Sequence, residues 1–363
     1  MTDSTRATIC PVTIGVVGCG NISDIYLTNL TTAPGVTVVA CADLVLERAQ
    51  TQAATYGVPR ACMVDELLAD PDIELVLNLT IPAAHADVAL RAVAAGKSVY
   101  NEKPLAIDRA DAQRLLALAT ERGVHVGGAP DTFLGAGLQT CRRLIDDGAI
   151  GTPVAFTAAM LSRGMEMWHP DPTFFYKPGA GPLFDMGPYY LTALVSLLGP
   201  VARVSAGARA SFPTRRVTSS PGPERDIPVE TPTHVAAVLE LASGPIGTLV
   251  TTFDVWSDRG DILEIAGSDA TLRLPDPNTF GGPVALLGPD HIWADQPLDP
   301  GPAENSRGLG VTDLAQAICS GGPARAGGEL AYHVLDVMHA ILESAETGHR
   351  IDVGSRVERP ERK

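Results

Sequence analysis

In the first third of the chain, short apolar runs alternate with stretches of helical spacing. VTIGVVG (12–18), VTVVACAD (36–43), ELVLNLT (74–80), SVYNE (98–102) and VHVGGA (124–129) read as strands. Between them, NISDIYLTNL (21–30), VLERAQTQAATYG (45–57), HADVALRAVAAG (85–96) and RADAQRLLALATERG (109–123) place apolar residues three and four apart, and the last three stop at a glycine. A strand buried on both faces loses the in–out alternation and becomes a continuous apolar run, as these do. Strand–helix alternation at this spacing predicts an α/β Rossmann domain built on a doubly wound parallel sheet.

Past about residue 128 the rhythm changes. GLQTCRRLIDDGAIG (137–151) reads as a helix ending at Gly148, followed by a strand at 153–161 and a helix after Gly187. Longer strands are expected at 201–211, 233–242, 246–256, 261–266 and 270–274, with SGP (243–245) turning an antiparallel hairpin. Residues 213–232, rich in Pro, Ser and charge, read as a surface loop. Near the end, Leu330, Val334, Leu335, Val337, Met338, Ile341 and Leu342 mark the buried stripe of a helix. The pattern predicts a second, α+β domain with a mostly antiparallel open sheet. The expected division is 1–128 and 129–363.

A length of 363 residues suits two domains, and 45% hydrophobic with 19% charged residues is globular. A formal net charge of −15 argues against nucleic acid or an anionic membrane as partner, since both need a basic footprint. Six scattered cysteines (Cys10, Cys19, Cys41, Cys62, Cys141 and Cys319) form no CxxC pair, which fits free thiols in a reducing compartment. MTDSTRATIC (1–10) lacks a signal-peptide core, and the longest uncharged run, 186–202, is broken by Gly187, Pro188, Gly199 and Pro200. A soluble cytoplasmic protein is expected. His339 and Glu343 have a spacing a metal could use, but no third ligand is suggested, so no metal is expected and the pair reads as a solvated face.

The first candidate chemistry is the turn Gly18-Cys19-Gly20 between a strand and a helix. A dinucleotide-binding turn needs glycine where the chain bends and where the backbone approaches a pyrophosphate, then a helix N-terminus facing the anion. Gly18 and Gly20 fit, with Asn21 and Ile22 following. Ser23 replaces the third glycine; it is small enough for close packing, and its hydroxyl could reach a phosphate. Asp43 ends the second strand, where a carboxylate accepts both ribose hydroxyls and repels a 2′-phosphate. NAD is therefore favoured over NADP. The bland alternative is a glycine bend that binds nothing. Lys103, in AGKSVYNEKPLAI (95–107), lies just past a strand, at the edge where open α/β sheets bind ligands.

The glycine turn, TIPAAH (80–85), EKPLA (102–106) and GAIG (148–151), in that order, resemble the glucose–fructose oxidoreductase / inositol dehydrogenase / rhizopine catabolism (Gfo/Idh/MocA) family. GAGPLFDMGPYYLTAL (179–194) is similar to that family's substrate-side segment. The resemblance implies an NAD(P)-dependent sugar or polyol dehydrogenase, with a second domain for substrate contacts and homodimer or homotetramer formation. It implies cofactor contacts at Thr80, Pro82, His85, Glu102 and Lys103, a catalytic role for Lys103, and roles for Asp185 and Tyr189. Asp185 opens the family's D-x-G-x-H segment, and its histidine, the usual proton donor and acceptor, falls on Tyr189.

A free phenol titrates near ~10 against ~6.5 for imidazole. The proton path is thus open among Lys103, Tyr189 beside a cation, and His169 in the aromatic loop EMWHPDPTFFY (166–176). Each has a structural alternative: Lys103 paired with Glu102, Tyr189 and Tyr190 as core aromatics, Asp185 as the cap of a helix beginning near Gly187, and His85 ordering its loop. Three functions fit: hydride transfer between NAD and a sugar or cyclitol, a redox-neutral lyase or hydrolase retaining NAD, and a non-catalytic sugar or dinucleotide sensor.

Overall fold

The computed structural model describes residues 11–219, 225–257 and 262–363. The expectation placed on residues 1–10, Cys10 included, lies outside them. Packing divides the chain into two compact units, Met1–Asp131 with Ser306–Gly328, and Thr132–Asn305 with Glu329–Lys363.

The first unit runs β1 (Val12–Val17), α1 (Ser23–Leu30), β2 (Val36–Ala42), α2 (Leu46–Tyr56), β3 (Arg60–Cys62), α3 (Val64–Ala69), β4 (Leu75–Asn78), α4 (Pro82–Ala94), β5 (Ser98–Asn101), α5 (Arg109–Arg122) and β6 (Val126–Gly128). Its sheet has the order β3-β2-β1-β4-β5-β6, and every pair is parallel. The apolar runs are its centre: Ile14, Leu75, Leu77 and Val99 are fully buried. The short β3 and α3 were not expected, because three and six residues show no period.

The second unit begins with α6 (Ala136–Asp146), β7 (Pro153–Leu161), α7 (Gly181–Leu198), β8 (Val201–Arg209), β9 (Thr214–Val217), β10 (Arg225–Pro228), β11 (His234–Leu241) and β12 (Ile246–Thr252). It continues with β13 (Ile262–Gly267), β14 (Thr271–Arg273), β15 (Ala285–Leu287) and β16 (Trp293–Asp295). The chain then passes through α8 (Leu309–Ser320) of the first unit and returns by α9 (Gly328–Thr347) and β17 (Ile351–Asp352). The large sheet has the order β16-β15-β14-β13-β7-β12-β11-β8-β17. Among the described residues of this sheet, only β7 and β12 pair in parallel; the expected β11–β12 hairpin is antiparallel.

Four expectations about the fold need correcting. The segment 213–232 is not all loop: β9 and β10 form an antiparallel ribbon, with Arg225 level with Val217 and Pro228 level with Thr214. Its turn-forming composition hid two four-residue strands. The helix expected after Gly187 starts at Gly181, so Pro188 lies inside it. Proline deprives the Phe184 carbonyl of its donor and normally marks a helix start; here burial of nearly the whole helix outweighs that loss. His339 is half-buried and sets its ring edge-on to Phe184, centroids 5.4 Å apart, so it is not on a solvated face. The chain's division also differs from one boundary near 128, because α8 returns to the first unit.

Candidate functional site

In the first sheet Val17 is level with Ala42 on one side and Asn78 on the other, and Asn78 with Asn101. Gly18, Asp43, Leu79 and Glu102 therefore follow one another along the carboxyl edge. Main-chain bonds extend the ladder there: Gly18 N to Ala42 O at 2.8 Å, Leu79 N to Val17 O at 2.8 Å and Glu102 N to Asn78 O at 2.9 Å. Strands β1 and β4 are neighbours from which the order runs outward both ways, the switch point where open α/β sheets take ligands.

The two glycines of the turn differ physically. Gly18 has φ +98°, and a Cβ there would lie 2.7–2.8 Å from the main chain of Leu79 and Thr80. The fold itself therefore requires Gly18. A Cβ on Gly20 would meet nothing within 4 Å, and Gly20 and Asn21 are exposed. No neighbour in the protein therefore requires glycine at 20, and its main chain is open to solvent, a shape that would admit a pyrophosphate. Replacing Gly20 by Ala is expected to leave thermal stability within about 0.5 kcal/mol while weakening NAD binding on the order of tenfold. Calorimetric titration checks this; unchanged NAD affinity would remove the turn from the site.

Asp43 holds this turn from the second strand. Its Oδ2 accepts the Cys19 amide at 2.8 Å and its Oδ1 the Val45 amide at 2.9 Å. Ser23 does not point at a phosphate: it is fully buried, donates to Gly20 O at 2.6 Å and accepts from Gln52 at 3.1 Å. The Ser23 and Asp24 amides fold back onto Gly20 O and Asn21 O. The main chain of Gly20, Asn21 and Ile22 is what remains to face an anion.

Lys103 sits in a loop fastened on three sides. Asn78 donates to Asn101 Oδ1 at 3.0 Å, and Asn101 donates to Leu105 O at 2.9 Å. Glu102 accepts the Tyr26 hydroxyl at 2.8 Å and the Lys103 amide at 2.9 Å. His85 places Nδ1 2.7 Å from Pro104 O and Nε2 2.9 Å from Thr80 O. Lys103 itself is half-buried.

Two expected cofactor contacts change character here. His85 is wholly buried, so it orders the loop and cannot touch a ligand; burial holds its pKa below the ordinary histidine value, against the pull of the two carbonyls. Glu102 is 8% exposed, with its oxygens turned to Tyr26 and the main chain. Thr80 and Pro82 stay half-buried at the β4 end, where Thr80 donates to Asn78 and Pro82 opens α4.

Nearby, Asp131 is buried and accepts the Gly308 and Gly310 amides, both at 2.9 Å, at the start of α8. Burial pushes its carboxyl up to about 6. Tyr26, Asn78, Asn101 and Asp131 were not foreseen; only the polar residues closing the runs LVLN and SVYN hinted at two of them.

In the second unit, α7 carries Asp185 and Tyr189 one turn apart, on one face. Asp185 and Met186 are the two half-buried residues of α7, the others being buried. Asp185 lies inside the helix and is not its cap. Tyr189 is 7% exposed, whereas Tyr190 is core, its hydroxyl 3.5 Å from Ala159 O.

His169 accepts the Asp171 amide on Nδ1 at 3.1 Å, which leaves Nε2 to carry the proton. Its ring packs edge-on to Trp168, Phe174 and Phe175. Beneath this aromatic segment is a buried charge hub that the sequence did not reveal. Arg215 bonds Glu166 at 2.7 and 2.8 Å, Asp254 at 2.8 Å and the Phe253 carbonyl at 2.7 Å. Tyr176 donates its hydroxyl to Glu166.

Comparison with known proteins agrees with this architecture. A family model described as "Oxidoreductase family, NAD-binding Rossmann fold" matches residues 12–128, and one described as "GFO/IDH/MocA C-terminal domain" matches 138–273. Inositol 2-dehydrogenase of Salmonella typhimurium is 37% identical over 149 residues, 39% of this chain and 43% of that protein. Trans-1,2-dihydrobenzene-1,2-diol dehydrogenase of Xenopus tropicalis is 33% identical over 178 residues, 48% of this chain and 53% of that protein. The chain thus matches about half or less of these relatives' length. Among solved structures, levoglucosan dehydrogenase with NADH and L-sorbose superposes with a TM-score of 0.81 at 20% identity, covering 95% of this chain and 99% of the other, a likeness of fold. Among the described residues no helix is long and apolar enough to cross a membrane.

Proposed function

This chain belongs to the GFO/IDH/MocA family of oxidoreductases, and we propose that it transfers a hydride between NAD and a secondary alcohol or ketone of a sugar, cyclitol or sugar derivative. One observation carries the reading: the open face of Gly20, the carboxylate of Asp43 and the fastened loop of Lys103 follow one sheet edge in register. The printed names of the relatives, inositol and dihydrodiol dehydrogenases among them, favour substrates rich in hydroxyls.

The main chain of Gly20, Asn21 and Ile22 would hold a pyrophosphate, and Asp43 the adenosine ribose. Each Asp43 oxygen, already bonded once to an amide, keeps a second lone pair for a ribose hydroxyl. Its charge would repel a 2′-phosphate, hence NAD over NADP. Bound NAD supplies the hydride acceptor, or as NADH the donor. Lys103 would stabilise alkoxide character at the reacting oxygen and carry its proton. Asp185 would accept hydrogen bonds from neighbouring substrate hydroxyls, with Tyr189 beside it as a phenol donor and His169 as a further substrate contact.

The free thiols of the described cysteines fit a reducing cytoplasm. For the large sheet, Val238 and Ile246 stand exposed at 43% and 52% on one face, and we take a second copy of this chain to cover them; a single-chain mass by light scattering would remove that assignment.

The test is a panel of inositols, aldoses and keto-sugars run with NAD and with NADP, following reduced cofactor. Turnover with NAD on a polyol supports the reading; binding of NAD and sugar without turnover would turn it towards a sensor. Asp43→Ala, with Asp43→Asn alongside to keep an acceptor for the turn, is expected to weaken NAD and shift the ratio of NAD to NADP use about tenfold or more towards NADP. An unchanged ratio would rule out the ribose contact.

A further inference from the structure

Tyr26 projects from α1 one turn beyond the glycine turn and has no exposed surface. Its hydroxyl donates to Glu102 Oε1 at 2.8 Å across 76 positions of sequence, and Oε2 of the same carboxylate accepts the Lys103 amide at 2.9 Å. Two hydrogen bonds through one carboxylate thus join the helix behind the cofactor turn to the main chain of the lysine. Burial and the charges of Glu102 and Asp131 push the Tyr26 phenol well above its ordinary range, so it stays a donor. The other side of α1 is tied separately: Asp24 accepts Gln52 at 2.8 Å and the Tyr56 hydroxyl at 3.1 Å from α2.

We propose that Tyr26 is a positioning residue that couples the cofactor turn to the Lys103 loop, so that an anion seated at Gly20–Ile22 is felt at Lys103 through α1 and Glu102. The proposal rests on the cofactor reading above and goes beyond it, since binding at the turn and placement of the lysine need not be linked. The hydroxyl supplies little binding energy to either partner directly. Its effect is to fix where the Lys103 main chain lies once α1 is held. Coupling of this kind is reciprocal, so disturbing the loop should also change affinity at the turn.

The probe is ADP-ribose, which carries the pyrophosphate without the nicotinamide; any direct shielding by its terminal ribose persists in Tyr26→Phe, so the difference between wild type and variant reads the coupling. The readout is the rate of reductive methylation at Lys103, by mass spectrometry, with Lys177, a half-buried lysine paired with Glu230 in the second unit, as internal reference. ADP-ribose is expected to change the wild-type rate about fivefold, and to change it less than about twofold in Tyr26→Phe. Tyr56→Phe, which loosens α1 on the other side, should respond as wild type. In turnover, Tyr26→Phe should lower kcat about tenfold with the sugar KM little changed.

If Tyr26→Phe fails to fold, Glu102→Gln breaks the same relay without opening a cavity and should lose the response as well. An equal response of Lys103 in wild type and in the relay variants, or none in wild type despite ADP-ribose binding, overturns the coupling while leaving the cofactor reading intact. ADP-ribose that does not bind at all overturns both.

Discussion

Lys103→Ala is expected to lower kcat/KM by about 10³-fold while NAD affinity stays within a few-fold of wild type. The loop around position 103 is held by Glu102, Asn101 and the Pro104 carbonyl, so truncating the lysine side chain should leave the cofactor turn in place. Lys103→Arg separates two roles. A guanidinium keeps the positive charge but does not give up its proton near neutral pH. If Lys103 moves the proton, the Arg variant should be almost as impaired as the Ala variant; if it serves only as a charge, Arg should recover much of the rate. Steady-state kinetics on whichever polyol the panel identifies would decide. Full turnover in Lys103→Ala would end the assignment.

Arg215→Met is expected to destabilise the second unit by about 3–5 kcal/mol. Arg215 is 3% exposed and ion-paired with Glu166 and Asp254, whose side chains are 6% and 7% exposed. Removing the cation leaves two carboxylates in a dry interior, and a methionine of similar length offers neither a hydrogen bond. Urea unfolding followed by tryptophan fluorescence suits the measurement, because Trp168, Trp256 and Trp293 all belong to this unit. The same hub anchors the aromatic segment around His169, since the Thr218 and Ser219 amides bond Glu166 O and the Ser219 hydroxyl donates to His169 O. The variant should therefore also open residues 162–180 to proteolysis under native conditions. A loss below about 1 kcal/mol would mean that the network is dispensable.

Much of the first unit was legible in local pattern. Buried parallel strands must be apolar on both faces, so β1, β2, β4, β5 and β6 announced themselves as runs, and the residues closing those runs proved to share one edge. Gly18, Asp43 and Lys103 could be named for that reason. In the second unit the alternation of β11 and β12 and the SGP break gave a hairpin, and α9 showed its stripe. Pro188 misled, because local rules place proline at a helix start, whereas the buried surroundings of α7 extend the helix back to Gly181. Ser23, His85 and Glu102 lie near the edge, but the sequence could not say that all three turn inward.

What the sequence by itself determined, then, is the order of strands and helices and the kinds of residue at the strand ends, because period and turn chemistry act over a few positions. Which of those side chains face outward was decided only in three dimensions. Tyr26 meets Glu102 across 76 positions, Asp131 meets Gly308 across 177 and Arg215 meets Glu166 across 49. Partners so far apart leave no periodic trace. They are selected because a polar group shut away from water must find a hydrogen bond from whichever segment the fold brings to it.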